Sequence, residues 1–221
     1  MEGKTILYDL RILFGGDSEW AEPGEQQIMF EKLATGNEVI WTNPFGPISG
    51  AIIPRINRVK DGLTVYNPGM NLLPLPLFNG FNQRRRLLQI IFYLLERDFE
   101  PELVWIDSPG AVGVAKHYGK KGALTLYYAD EENEAGLSRA QRKKVAAGVD
   151  LIVTPSERLL HEYKDYNEKT HFLEGGILEL PSEDLKEEDE AVSEEMLEQT
   201  LLEDIHHRLN EIAAIAEREL R

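Results

Sequence analysis

The chain has 221 residues and no cysteine, and its 42 % hydrophobic and 29 % charged residues are typical of a globular protein with a sizeable core. The lack of cysteine excludes disulfide frameworks, thiol catalysis and cysteine-bound metal centres. A formal net charge of −15 argues against nucleic-acid binding. No apolar run approaches the roughly 20 residues that span a bilayer, and no basic-then-apolar leader opens the chain. These features predict a cytoplasmic protein.

The acidity is concentrated near the C-terminus, where residues 179–221 hold 15 acidic and 4 basic side chains. This shift predicts a compact domain over residues 1–178, an acidic linker over 179–190 and an amphipathic helix over 191–221. The helix has a narrow apolar stripe, which predicts that it packs on the domain or pairs with a second copy in a homodimer. The stripe comprises Leu197, Leu201, Ile205, Leu209, Ile212, Ala216 and Leu220.

The domain alternates short apolar runs with amphipathic stretches, which predicts a doubly wound, mostly parallel sheet of the Rossmann-like α/β class. Strands are expected at Thr5–Asp9 with an extension through Phe14, and at Glu38–Thr42, Leu63–Tyr66, Leu103–Ile106, Ala123–Tyr128, Asp150–Val153 and Thr170–Leu173. Helices are expected at Pro23–Ala34, Gln83–Arg97, Gly110–Tyr118, Ser138–Ala147 and Pro155–Tyr166. Prolines and glycines predict irregular structure from Asn43 to Arg58.

Three helix starts have N-cap signals. Asn82 is available to cap the helix that begins at Gln83, and Ser108 precedes a proline suited to the first helical position. Thr154, with Glu157 three residues later, matches a capping box, so we assign this segment no catalytic role.

Three loops that follow strands carry candidate functional residues, because ligands bind at the carboxyl ends of strands in such sheets. Gly15-Gly16 permits close approach of backbone N–H groups to a phosphate, although a plain flexible turn explains the pair equally well. Asp107 faces the predicted cleft, where such carboxylates are often only hydrogen-bonded. The carboxylates of the loop from Asp130 to Glu134 can bind sugar hydroxyls or a metal, and a solvated acidic loop is the commoner alternative.

Other sites are absent or ambiguous. The five histidines lack metal-ligand spacing, so no metal site is expected, and no nucleophile elbow is present. The segment Leu72–Phe81 and the arginines after it predict weak contact with an anionic membrane surface, on the inner face of the membrane. A loop folded over the core is the alternative. The residues of this predicted surface are Phe78, Phe81, Arg84, Arg85 and Arg86.

The order of these segments resembles the N-terminal domain of a bacterial GT-B glycosyltransferase of the retaining family 4, or group 1, over about residues 4–178. The matching segments are TILYDLRILFGG, EWAEPGEQQIMFEKLA, GNEVIWTNP, LVWIDSPGAVGVAKHYG, LYYADEENEAGL, GVDLIVTPSERLLHEY and KTHFLEGGI. The resemblance implies that Gly15 and Gly16 lie beside the donor diphosphate and that Asp107 is a catalytic candidate. It implies an acceptor-binding role for Trp20, Ser108, Asp130 and Glu131.

Two departures qualify the resemblance. Glu22-Pro23 stands where many relatives have Arg-Pro, which removes an anion contact. A second Rossmann domain with a pair of glutamates should follow Ile177, and the 221 residues do not contain it. We therefore expect an acceptor-binding domain that is inactive alone, uses no cofactor, and works on a sugar nucleotide only with a donor-domain protein chain. The alternatives are a noncatalytic interaction or regulatory subunit and a small-molecule enzyme that uses the acidic loop.

Overall fold

The computed structural model describes residues 9–16, 30–42, 54–69, 79–173 and 214–215. Within them, eight strands form one sheet in the order β3-β4-β2-β1-β5-β6-β7-β8. The strands are β1 Arg11–Gly15, β2 Glu38–Thr42, β3 Arg55–Lys60, β4 Leu63–Asn67, β5 Leu103–Ile106, β6 Leu124–Tyr128, β7 Leu151–Thr154 and β8 Thr170–Phe172. Every neighbouring pair is parallel except β3 and β4. The predicted α/β class is confirmed.

The helices over the described residues lie between the strands. They are α1 Asn79–Glu96, α2 Val112–Gly119, α3 Arg139–Ala146 and α4 Glu157–Lys164, and a 3₁₀ turn at Pro109–Ala111 precedes α2. Residues 30–33 are the described end of the predicted helix Pro23–Ala34, and the start of that helix lies outside the described residues. Asn37 closes this end by donating from Nδ2 to the Leu33 carbonyl over 2.7 Å.

Two strand predictions need correction. The described first strand is the predicted extension, Arg11–Gly15; Asp9 lies outside it with a φ of 60°, and residues 5–8 of the predicted strand lie outside the described residues. Strand β3 was not expected, because it is an exposed edge strand that follows a proline and lacks a buried apolar face. It forms a hairpin with β4, and Gly62 supplies the required φ of 81° at the turn.

Two N-cap predictions are wrong. Helix α1 begins at Asn79, so Asn82 is a buried residue of its first turn rather than its cap. Helix α4 is capped by Ser156, whose Oγ accepts from the Leu159 N–H, while Thr154 remains the last residue of β7. Ser156 has extended backbone and directly precedes the first helical residue, Glu157. It is therefore the N-cap, the position that the sequence pattern assigned to Thr154.

The sheet has a core on each face. One core contains an aromatic group in which the ring centroids of Phe14 and Phe30 are 4.3 Å apart and those of Phe14 and Trp41 are 4.5 Å apart. The other core lies under α1, α2, α3 and α4. Ile215, in a helical segment near the end of the chain, is only 7 % exposed and belongs to the aromatic core. The C-terminal segment therefore contacts the domain at this residue.

Candidate functional site

The carboxyl ends of β1 and β5 lie side by side at the centre of the sheet. From β1 the chain continues towards β2, and from β5 it continues towards β6, on the other side. The strand order therefore reverses between β1 and β5, and doubly wound sheets bind ligands at the carboxyl ends of the strands at such a reversal, a position here called the central crevice. The residues at this point are Gly15 and Gly16 on one side and Asp107 and Ser108 on the other.

Asp107 and Gly16 are in direct proximity. The Asp107 N–H donates to the Gly15 carbonyl over 3.2 Å. A Cβ atom placed on Gly16 would lie 3.1 Å from Asp107 Oδ1 and 2.7 Å from Phe14 Cε1. The absence of a side chain at Gly16 is therefore required by the packing of the two strand ends. The sequence prediction that the glycines and Asp107 share one cleft agrees with this geometry, and the predicted diphosphate contact stays a prediction.

Ser108 has a structural function. Its Oγ accepts from the Gly110 N–H over 3.2 Å and caps the 3₁₀ turn that begins at Pro109, so the predicted cap is confirmed. The residue is 1 % exposed. Its predicted contact with an acceptor sugar stays a prediction.

Asp130, which follows the end of β6, is engaged by its own loop. The backbone N–H of Asn133 donates to Oδ1 over 2.7 Å, and Nδ2 of Asn133 donates to Oδ2 over 2.8 Å. Burial raises the pKa of the Asp130 carboxyl, and the hydrogen bonds from Asn133 oppose this effect. Both carboxyl oxygens of Asp130 are therefore used in hydrogen bonds that stabilise the conformation of its own loop.

Glu131 connects the same loop to the start of α4. Its carboxylate forms an ion pair with Arg158, and Ser156 Oγ donates to Glu131 Oε1 over 2.5 Å. The hydrogen bond from Arg158, followed by the one from Ser156, lowers the pKa of Glu131. Both predicted sugar-binding carboxylates thus have protein partners, while Glu131 is 54 % exposed, and their contact with an acceptor sugar stays a prediction.

A buried carboxylate lies at the centre of this region. Glu134 accepts from Tyr127 Oη over 2.6 Å, from Tyr163 Oη over 2.7 Å and from Arg142 Nε over 2.6 Å. Arg142 also pairs with Glu162, with 2.7 Å between Nη1 and Oε1. Glu134 has no local sequence signal that distinguishes it from the other acidic residues of the loop, because no helical or strand spacing links positions 127, 134, 142 and 163.

The Glu134 cluster, defined as Glu134, Tyr127, Tyr163 and Arg142, affects the titration of its tyrosines. Burial, followed by the negative charge of Glu134, raises the pKa of Tyr127 far above its usual range. Burial, followed by the hydrogen bond to Glu134, does the same to the pKa of Tyr163. Both hydroxyls therefore remain protonated donors to Glu134, and the loop after β6 is fixed to α3 and α4.

The predicted membrane surface is only partly supported by exposure. Phe81 and Arg84 are exposed and Arg85 is half-buried, whereas Arg86 is 4 % exposed, so a contact of Arg86 with headgroups is wrong. Arg86 lies four residues before Ile90 on the inward side of α1, which explains its burial. Phe78 and Trp20 lie outside the described residues.

Within the described ranges, no group of three or more histidine or acidic side chains is arranged to hold a metal ion. No helix in the same part of the chain combines the length and apolar character that crossing a bilayer requires.

No protein-family model matches the chain, and no curated protein matches it. Among solved structures, it is similar to an α,α-trehalose-phosphate synthase (UDP-forming) from Burkholderia vietnamiensis, with a TM-score of 0.49 and 11 % identity over 72 % of this chain and 42 % of that one. The trehalose-6-phosphate structure from E. coli bound with UDP-2-fluoro glucose gives a TM-score of 0.45 and 12 % identity over 70 % and 42 %. This chain thus spans less than half the length of those proteins.

Both are glycosyltransferases of the GT-B type, and neither supports the assignment to family 4. At these TM-scores the likeness is too weak to assign a family or an activity to this chain.

Proposed function

We propose that the domain is the acceptor-binding half of a glycosyltransferase of the GT-B type, and that the donor-binding half comes from outside these 221 residues. The observation that carries the proposal is the juxtaposition of Gly15-Gly16 and Asp107 at the central crevice. The sequence motifs that resemble a family 4 enzyme place their glycine loop and their aspartate at these positions. The family 4 assignment itself rests on the order of these motifs.

Each residue of the crevice has a defined part in the proposal. Asp107 offers a carboxylate to acceptor hydroxyls, since carboxylates are strong hydrogen-bond acceptors and Asp107 lies at the end of a central strand. Gly16 lets the end of β1 pack directly against Asp107, because a Cβ at this position would lie 3.1 Å from Asp107 Oδ1. Asp130 and Glu131 hold the loop after β6 in place, Asp130 through its hydrogen bonds with Asn133 and Glu131 through its ion pair with Arg158.

Transfer requires more than this crevice. Charge that develops on a leaving diphosphate is stabilised by preorganised donors, and in a GT-B enzyme these come from both domains. The chain alone is therefore expected to bind an acceptor sugar without transferring a sugar to it.

The test is a transfer assay with the purified chain, a panel of nucleoside-diphosphate sugars and a panel of mono- and disaccharides. A control variant, Gly15→Ala with Gly16→Ala, sets the background. We expect no turnover above this control, and turnover appearing when the donor-binding protein, captured with the chain from its native host, is added. Turnover by the chain alone, or none with any captured partner, contradicts the proposal.

A noncatalytic interaction or regulatory subunit is the second candidate. It is favoured by the engagement of Asp130 and Glu131, both of which have protein partners. The same engagement disfavours a small-molecule enzyme that works through the acidic loop. The two leading candidates differ in one result, since only the acceptor-binding domain binds carbohydrate at the crevice.

A further inference from the structure

Helix α1 is apolar on two opposite sides. Ile90 and Leu94 are fully buried against the sheet. The outer side presents four large hydrophobic residues: Phe81 at 56 % exposure, Leu88 at 45 %, Phe92 at 62 % and Leu95 at 59 %. An amphipathic surface helix places polar residues on that side, and a helix that is apolar all round is normally covered on both sides.

The exposed residues form one continuous stripe, the α1 outer face, defined as Phe81, Leu88, Phe92 and Leu95. Their separations of seven, four and three residues place them on one side of the helix over four turns. The other large exposed hydrophobic residues of the described chain, Ile56 and Phe172, lie on the two edge strands of the sheet. The stripe is therefore a local feature of α1.

The charges beside the stripe are separated along the helix. Arg84 and Arg85 flank its amino-terminal half, and Glu96 flanks its carboxyl-terminal end, with Asp98 and Glu100 exposed just beyond. A second copy of α1 in antiparallel orientation places Arg84 of each helix near Glu96 of the other. A parallel copy brings like charges together. A two-fold axis perpendicular to the helices produces the antiparallel pair, and in that pair the charge pattern is self-complementary.

Two other occupants fit the observations less well. The end of the C-terminal segment contacts the aromatic core at Ile215, on the opposite face of the sheet from α1. An anionic membrane attracts Arg84 and Arg85, but it repels the acidic end of the stripe and a chain of net charge −15.

We propose that the α1 outer face is a self-association surface through which two copies of the chain pair, with the two α1 helices antiparallel. This interface is distinct from the crevice of the proposed function and from the dimer expected through the C-terminal helix. A standard interface buries about 800 Å² of accessible surface on each partner, and the four side chains of the α1 outer face bury less than this. The dimer is therefore expected to have a dissociation constant in the micromolar range.

The test is sedimentation equilibrium of the full chain from low to several hundred micromolar. We expect a monomer–dimer equilibrium that Phe92→Glu weakens by at least about a hundredfold, because the residue occurs twice in a symmetric interface. The matched control is Phe172→Ser, an exposed aromatic outside the stripe, which should leave the equilibrium unchanged. Circular dichroism melting verifies that each variant is folded.

The orientation is tested by charge reversal. Arg84→Glu should weaken the dimer by about fivefold to tenfold, and adding Glu96→Arg to it should restore the affinity, since the pair is then reversed across the interface. A monomer at all concentrations, a dimer indifferent to Phe92→Glu, or failure of the rescue overturns the proposal. So does salt-sensitive, Phe92-dependent binding of the chain to phosphatidylcholine vesicles containing phosphatidylglycerol, which assigns the stripe to a membrane.

Discussion

Removing the buried carboxylate of Glu134 should destabilise the domain more than any other single change in the acidic loop. The side chain has zero exposure and accepts bonds from Tyr127, Tyr163 and Arg142. In Glu134→Ala the two buried tyrosine hydroxyls lose their acceptor, which costs about 1 to 3 kcal/mol each. Arg142 keeps its bond to Glu162, so the loss of the buried ion pair lies near the lower end of the usual 3 to 5 kcal/mol. These contributions overlap, and we expect a total loss of about 4 kcal/mol.

Two matched variants calibrate this value. Glu134→Gln keeps the shape, and its amide can accept from Arg142 and donate to the tyrosine hydroxyls, so the expected loss is about 1 to 2 kcal/mol. Glu131→Ala removes a carboxylate that is 54 % exposed, so it should cost less than about 1 kcal/mol.

The measurement is urea unfolding of the full chain near neutral pH, followed by tryptophan fluorescence and circular dichroism. A double-mutant cycle with Arg142→Ala isolates the pair, with an expected coupling of about 1 to 3 kcal/mol. A loss below about 1 kcal/mol in Glu134→Ala, or equal losses for Ala and Gln, would refute the account of this cluster.

Three further changes test other parts of the structure. Gly16→Ala should destabilise by about 1 to 3 kcal/mol, since the new Cβ meets Phe14 and Asp107, and an unchanged melting temperature would show that the crevice can relax. Burial lowers the pKa of His117, so the folded state favours the neutral ring. The free energy of unfolding should therefore fall as the pH drops below about 6.5, and it should fall less steeply in His117→Gln. Urea midpoints measured across that pH range test this. Parallel curves for the two proteins would contradict this. Ile215→Ala should cost about 2 to 5 kcal/mol in urea unfolding, because this side chain is buried in the aromatic core, and no loss would contradict that contact.

The regular elements of the domain could be predicted because their signals are local. Glu38–Thr42 and Leu103–Ile106 match the observed strands residue for residue, since each is a short buried run bounded by turn signals. Strand β3 could not be found in this way, because an exposed edge strand has no apolar pattern. Arg86 could have been predicted as buried, since it shares the four-residue spacing of Ile90 and Leu94.

Only part of the candidate site could be predicted from local signals. Gly15-Gly16 and Asp107 could be placed at strand ends, but the contact between Gly16 and Asp107 depends on the pairing of β1 with β5, which has no local signal. The engagement of Asp130 and Glu131 did not follow, because the partners of Glu131 come from a helix about 25 residues away in sequence. The ion pair of Glu131 with Arg158 is therefore a tertiary contact that the loop sequence alone does not reveal.

The most direct test of the central claim is an NMR titration of the isotopically labelled chain with mono- and disaccharides and, separately, with nucleoside-diphosphate sugars. The account predicts that an acceptor sugar shifts the amide signals of Gly15, Gly16, Asp107 and Ser108, and that Asp107→Asn weakens this binding at unchanged stability. Nucleoside-diphosphate sugars should bind more weakly, since the proposal assigns their binding to the donor-binding half. No shift with any carbohydrate, or shifts confined to the amino ends of the strands, would contradict the assignment of this crevice as an acceptor site.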